Sequence, residues 1–301
     1  MDYAREPDGW LETEYGRIAM FQPSGGSNID PATVAAFGKE WRKFGAFADD
    51  DISRFGDEYF DIVDREMLGE SLVALDLGCG SGRWTRYIAS SYGFVEAVDP
   101  SEAVLTAAAL TQDLDNVRVT QASVDTIPFA DDSFDFLLCL GTFHHIPDTS
   151  AALAAAAKKL KPGGWMLLYI YYALENRGPI YRAVFALSSL VRRLVSRLPG
   201  QLKRPFCDLI AVLVYLPVIS VARLIGVVLG DRAFNSLPLS YYANKSWFVI
   251  RNDALDRFGT PLEQRFTKDQ IREMMTVAGL GEIRFSQRAP FWHAVGRKPN
   301  S

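Results

Sequence analysis

The chain has 301 residues, 49% of them hydrophobic, enough to bury a large core in one elaborated domain or two. A formal charge of −4 is mild and argues against a general nucleic-acid binder. Three cysteines, Cys79, Cys139 and Cys207, are odd in number and lack metal-ligand spacing, which points to free thiols in a reducing compartment and no metal.

The opening MDYAREPDGW is polar and charged, unlike a signal peptide. The longest uncharged stretch, residues 209–222, contains Pro217 and falls short of the ~20 residues a membrane-crossing helix needs. A cytoplasmic protein is expected. Residues 1–70 read as a helical segment. Within it Asp30-Pro31 forms an N-cap followed by proline at the first helical position, and Phe37, Trp41 and Phe44 recur on one face.

Residues 71–172 alternate strand-like and helix-like runs. Strands are expected over 72–77, 94–98, 117–121, 134–140 and 165–171, and helices over 84–91, 101–110 and 150–160. That alternation implies a doubly wound, mostly parallel α/β sheet with helices on both faces. Lys161-Pro162-Gly163-Gly164 reads as the turn into the fifth strand. A helical insertion follows over 173–265, with apolar helices near 180–198 and 206–229. Residues 266–301 then supply an amphipathic helix and two closing strands, 282–286 and 291–297.

The loop after the first core strand, LDLGCGSGRW, carries the chemistry. A dinucleotide fingerprint needs Gly or Ala at its third position to pack helix on strand, and the two available registers put Arg83 or Thr85 there. NAD is therefore rejected. The loop instead sets Asp76 before Gly78, Gly80 and Gly82. A carboxylate there would repel a pyrophosphate but suits an ammonium group. Asp99 closes the next strand, where α/β nucleotide sites hold a ribose. A ribose, close backbone approach and an amino-acid ammonium together describe S-adenosylmethionine.

With LDLGCGSGR, AVDPS, SVDTIPFADDSFDFLLCLGTFHHIPD and LKPGGWMLLY in order, the chain resembles class I S-adenosylmethionine-dependent methyltransferases. The small-molecule group is the nearest match, including ubiquinone/menaquinone C-methyltransferases and sugar O-methyltransferases. The resemblance implies a Rossmann-like, seven-stranded sheet. It implies that Asp76 and Gly78 meet the methionine end, with Gly80 in the same loop, and that Asp99 meets the ribose. Pro100 and Ser101 would line the adenine, and Leu140 would follow the cofactor. Where relatives often carry an adenine-binding Asp this chain has Ser123, so recognition leans on the backbone of Val124. Relatives with N-terminal lids place Trp41 over the cofactor; packing on the sheet is the plainer role for that helix. GTFHHIPD stands where base-amine methyltransferases carry an Asp/Asn-Pro-Pro-aromatic stretch, which excludes nucleic-acid bases.

His144 and His145 sit where the fourth core strand opens, and a histidine suits removal of an acceptor proton. Capping of the turn is the structural alternative. Tyr172 is a further catalytic candidate, and Tyr171 and Glu175 are acceptor candidates. His293 reads as structural. In the insertion Tyr241, Tyr242, Lys245 and Trp247 are candidate acceptor contacts of a lid. O-methylation of a hydrophobic, quinone-, sugar- or polyketide-like acceptor is expected. The alternatives are a binding module built on the fold, or non-methyl sulfonium chemistry. Residues 176–235 hold nine basic and two acidic side chains, a local charge of +7. An anionic membrane, an acidic acceptor, a buried helical cap and a homodimer surface all fit that charge. Burial is expected for residues 206–229, apolar nearly all round.

Overall fold

The computed structural model describes residues 1–23, 27–41 and 49–300, without the side chains of residues 39–41, 49–51, 54, 55, 180, 235 and 236. Residues Met1–Ala173 with Leu262–Ser301 form one compact unit and Leu174–Pro261 a second.

The first unit is built on a nine-stranded sheet. Its strands are β1 (Gly9–Thr13), β2 (Gly16–Phe21), β3 (Gly69–Leu77), β4 (Tyr92–Asp99), β5 (Val117–Ala122), β6 (Phe134–Leu140), β7 (Leu160–Tyr169), β8 (Gly281–Phe285) and β9 (His293–Arg297). Their order is β1-β2-β5-β4-β3-β6-β7-β9-β8. β5, β4, β3, β6 and β7 run parallel, while β9 is antiparallel to both β7 and β8. Ala74, Leu75, Val95, Ala97, Leu137 and Leu138 are fully buried, as strands covered on both faces must be.

Two departures from expectation concern strands. Residues 1–70 are not all helical: β1 and β2 form a hairpin around Gly16, and β2 adds itself in parallel to β5, making nine strands where seven were expected. Lys161-Pro162-Gly163-Gly164 is not a turn before the strand but lies within β7. Leu160 pairs with Phe134 and Trp165 with Phe136, so the extra residues bulge out of a ladder that continues past them.

The helices of this unit are α1 (Pro31–Trp41), α2 (Asp49–Tyr59), α3 (Arg83–Ile88), α4 (Val104–Leu110), α5 (Thr149–Lys158) and, near the C-terminus, Lys268–Val277. Asp30 accepts from the Thr33 N–H at 2.7 Å, the N-cap bond that starts α1.

The second unit holds α6 (Pro179–Val195), α7 (Gly200–Ile210), α8 (Leu216–Leu229), α9 (Asp231–Ser236) and α10 (Trp247–Gly259); the helix Lys268–Val277 is α11. A π-helical turn, Ala211–Tyr215, joins α7 to α8, so Gly200–Leu229 is one 30-residue helix with Pro217 absorbed in the first turn after the π segment. It is long and apolar enough to cross a membrane by length and composition, unlike the shorter uncharged stretch read from the sequence. The burial expected for it is not found. One stripe, Cys207, Ala211, Tyr215 and Ile219, packs into the unit's own core with Ile250, Ala254 and Phe258, and only 17% of its most apolar window is buried.

Glycine conformation fixes the loop at the end of β3. Gly82 has φ +82°, and a Cβ there would meet Ala107 Cα at 2.9 Å, backbone that cannot rotate away. Gly141 has the same φ with open space around it. Gly82→Ala is therefore expected to cost more than the ~1–2 kcal/mol of left-handed strain alone, and Gly141→Ala only that strain. Urea unfolding of both variants checks the order, and equal costs would contradict it.

Candidate active site

Asp76, near the end of β3, is buried at 1% exposure between two parallel neighbours. Its Oδ2 accepts from Thr85 Oγ1 at 2.6 Å, while Oδ1 is buried without a partner among the described residues. Burial is the main cause that pushes this carboxyl up to about 7, and the Asp99 charge adds to it against the Thr85 bonds. Thr85 was not read as a site residue; it is an ordinary helical position until α3 folds back on β3.

Asp99 ends β4, next to β3. Gly80 N–H donates to its Oδ2 at 3.0 Å, and Ser101 N–H and Oγ donate to its Oδ1 at 2.8 and 2.6 Å. Three of about four lone-pair sites are thus used, leaving one on Oδ2 for a further donor. Burial raises this carboxyl, with Ser101 and Gly80 opposing. Gly78 (φ +78°) and Cys79 both donate to the Val98 carbonyl, which ties the loop to β4, and a Cβ on Gly78 would strike Thr142 Oγ1 at 2.3 Å. Only glycine fits there.

Ser123 is buried, and its N–H and hydroxyl form a capping box with Thr126 at 2.9 and 3.1 Å. Its hydroxyl is engaged locally rather than presented to a ligand. Val124 and Leu140 are buried, and Pro100 is half-buried. Trp41 ends α1, but its side chain, like all of Phe44, lies outside the described residues. The same helix is nonetheless located. Its Phe37 ring lies 4.8 Å from His145, and a Cβ on its Gly38 would meet Glu102 N at 3.1 Å and Ser101 Cβ at 3.2 Å. α1 therefore runs across the carboxyl edge of the sheet, from the histidines to the turn after β4.

The two histidines differ. His144 is fully buried and its Nδ1 accepts the Tyr171 N–H at 3.4 Å, which assigns the proton to Nε2, a buried atom without a partner among the described residues. Burial, with His145 and Arg265 adding to it, holds this imidazole well below the usual histidine range. A neutral ring whose remaining nitrogen is a buried donor does not fit a general base. His145 has the opposite arrangement: its Nδ1 lies 2.7 Å from the Leu262 carbonyl, which fixes the proton on Nδ1 and the lone pair on Nε2.

Tyr171 stacks on His144 at 3.8 Å, and the Arg265 guanidinium lies over the Tyr171 ring at 4.8 Å. Tyr172 faces the other way, as successive residues of an extended chain do, and packs near Phe291 and Trp292 at 5.8 and 6.3 Å. It is not brought to the histidines. His293 is fully buried between Asp61 Oδ1, 2.6 Å, and the Pro290 carbonyl, 2.8 Å. Glu175, Tyr241, Tyr242, Lys245 and Trp247 belong to the second unit. There Tyr242 and Tyr215 both donate to Asp253, so the Tyr242 hydroxyl serves that unit's interior. Lys245 lies over Tyr241 at 4.6 Å and Arg251 near Trp247 at 5.9 Å.

The strand order, the glycine loop and the two buried acids define a class I S-adenosylmethionine-dependent methyltransferase domain. Residues 75–168 match the family model described as a methyltransferase domain. The chain is 33% identical to a ubiquinone biosynthesis O-methyltransferase of Hydrogenovibrio crunogenus, over 36% of this chain and 44% of that protein. A second protein of that name, from Saccharophagus degradans, is 30% identical over 50% of this chain and 65% of its own length. The chain thus spans only part of the curated relatives it matches, from 42% to 66% of their length. Among solved structures it is similar to the YcgJ protein of Bacillus subtilis, with TM-score 0.45, 19% identity, and coverage of 73% of this chain and 66% of that one.

The residues present fit the cofactor of this domain. The orphaned Oδ1 of Asp76 is a buried acceptor waiting for a donor, and the spare Oδ2 lone pair of Asp99 suits a hydroxyl.

The buried acids set a pH dependence. Asp76 and Glu96 are each pushed to about 7 by burial and Asp253 to about 6, against about 4 in an unfolded chain. The fold therefore binds more protons than the unfolded chain between about pH 4 and 7. The contribution of these three groups to stability is largest below that window and falls as pH rises through it. Asp76 alone accounts for roughly 4 kcal/mol of the fall by linkage. Ligand-free Asp76→Asn should lose stability less steeply from pH 5 to 8 in urea titrations than the native chain. Parallel slopes would remove Asp76 from the effect.

Proposed function

We propose that this chain is a cytoplasmic enzyme that moves a methyl group from S-adenosylmethionine to an oxygen of a small acceptor. The acceptor class we propose is hydrophobic, of quinone-, sugar- or polyketide-like chemistry. The observation that carries the reading is the unpaired, buried Oδ1 of Asp76 beside the glycine loop. The O-methyltransferase names of two relatives support oxygen as the acceptor atom.

In this reading Asp76 accepts from the ammonium at the methionine end, and the half-buried Gly78 and Gly80, which carry no side chains, let the ligand approach the loop. Asp99 takes a ribose hydroxyl on its remaining lone pair. Pro100, Ser101 and the backbone of Val124 border the adenine, and Leu140 lies along the cofactor. When bound, S-adenosylmethionine supplies a methyl group on a positively charged sulfur. His145 holds its lone pair on Nε2 and takes the proton of the acceptor hydroxyl, while the Leu262 carbonyl stabilises the imidazolium through Nδ1–H. His144 donates from Nε2 and, stacked with Tyr171, orients the acceptor. α1 excludes water from the cofactor edge. Glu175, Tyr241, Tyr242, Lys245 and Trp247 remain acceptor candidates of the second unit.

Titration with S-adenosylhomocysteine tests the cofactor half. Binding should strengthen as pH rises through about 7, because the Asp76 carboxyl must ionise before it accepts from an ammonium. Asp76→Asn should remove that pH dependence, and Asp99→Ala should weaken binding roughly tenfold to hundredfold, as for loss of a charged hydrogen bond. No binding by the native chain overturns the reading.

Transfer of labelled methyl groups from S-adenosylmethionine into small molecules of a cell extract tests the rest. His145→Ala should lower incorporation ~10²–10⁴-fold with S-adenosylhomocysteine affinity unchanged. Full incorporation by that variant removes His145 as the base, and label on carbon or nitrogen rejects the oxygen assignment.

A further inference from the structure

The second unit turns apolar surface outward on two helices. Along α6 the side chains of Val184, Leu187, Val191 and Leu194 recur at three- and four-residue spacing, one stripe of the helix, and Leu187 and Leu194 are each 65% exposed. Along α7–α8, Leu202, Leu209, Leu213, Leu224 and Val227 continue the same pattern for the length of the helix, and Val227 reaches 86% exposure. The opposite side of that helix is committed to the unit's own core. Large apolar side chains exposed repeatedly along two helices mark a contact surface.

Charge selects the occupant. Residues 174–261 carry a net +7, and the rest of the chain −11. Arg182 and Arg193 on α6 and Arg197 just after it are exposed. A symmetric dimer through this face would bring two such basic surfaces together. An anionic bilayer offers both hydrocarbon and negative charge.

Orientation follows from the buried side of α7–α8. Asp208 pairs with Arg251 of α10 at 2.6 Å, and Tyr215 donates to Asp253 of α10 at 2.7 Å. If Gly200–Leu229 crossed the bilayer, α10 would enter the hydrocarbon with Arg251, Asp253 and Asp256, a placement that is strongly disfavoured. Lying in the plane of the interface keeps α10 on the aqueous side.

We infer that the second unit is a peripheral membrane module that docks in the plane of an anionic lipid surface through α6 and α7–α8. This does not depend on the acceptor or on catalysis. Flotation of the full chain with phosphatidylcholine vesicles, with and without phosphatidylserine, tests it. The chain should float with the phosphatidylserine vesicles and less so as salt rises. A triple Arg182→Gln, Arg193→Gln, Arg197→Gln variant should bind roughly a hundredfold more weakly, about fivefold per charge. Leu187→Asp with Leu194→Asp should abolish flotation while S-adenosylhomocysteine still raises the melting temperature as in the native chain. Absence of flotation overturns the inference, as does equal flotation with both vesicles. Resistance to alkaline extraction would show a spanning helix instead. Lipid-free dimers that the paired Leu→Asp variant converts to monomers would assign the face to a second copy.

Discussion

Two carboxylates, Asp76 and Asp99, are buried at the ends of adjacent central strands, and much of the local structure compensates for it. An ionised acid out of water is tolerated only with donors around it. Asp99 has three, from Gly80 and Ser101, and they explain why the loop after β3 must curl back toward β4. That curl in turn demands positive φ at Gly78, Gly80 and Gly82. Among the described residues Asp76 has only Thr85, on one oxygen, and burial outweighs that donor and raises its titration point. A site that leaves one acid under-satisfied is more stable with a cationic ligand than without one.

The central strands were legible because nothing else in the chain competes with their pattern. ALDL, EAVD and FDFLLCL are short apolar runs with an acid or glycine at the end, too short for buried helices. The β1–β2 hairpin was not legible: its turn, Glu14-Tyr15-Gly16, lacks the Asn-Gly or Asp-Gly pair that signals a tight hairpin, and β1 alternates without burying a side chain fully. Lys161-Pro162-Gly163-Gly164 misled for the opposite reason. Its residues are strong turn formers, but the register of β6 and β7 on either side carries the strand through them as a bulge. Sequence registers local preference; the ladder on both sides decided the outcome.

The site shows the same division. Asp76, Gly78 and Asp99 could be read from spacing, since each closes or follows a strand. Thr85 could not, because its role arises only when α3 packs back on β3. Two adjacent histidines are chemically identical in a sequence, and here their backbone neighbours make them different. A Tyr171 N–H pointing at Nδ1 makes His144 a donor, while a Leu262 carbonyl at the same ring position makes His145 an acceptor. Both neighbours come from distant segments, β7's continuation and the return from the second unit, so the assignment is a property of the closed chain.

Hydropathy alone gave the wrong answer for residues 206–229 because it does not say which apolar side chains have partners. A helix apolar all round is buried when enough protein surrounds it. The second unit offers one layer, Ile250, Ala254 and Phe258 of α10, and that layer covers one stripe. The remaining stripes face outward while the ion pair and tyrosine–aspartate bonds keep α10 attached behind them. An apolar front with a charged layer fixed directly behind it suits a boundary between hydrocarbon and water. It suits neither a spanning helix, which needs apolar surroundings on every side, nor the interior of a soluble domain, which needs a second layer that the unit's described residues do not supply.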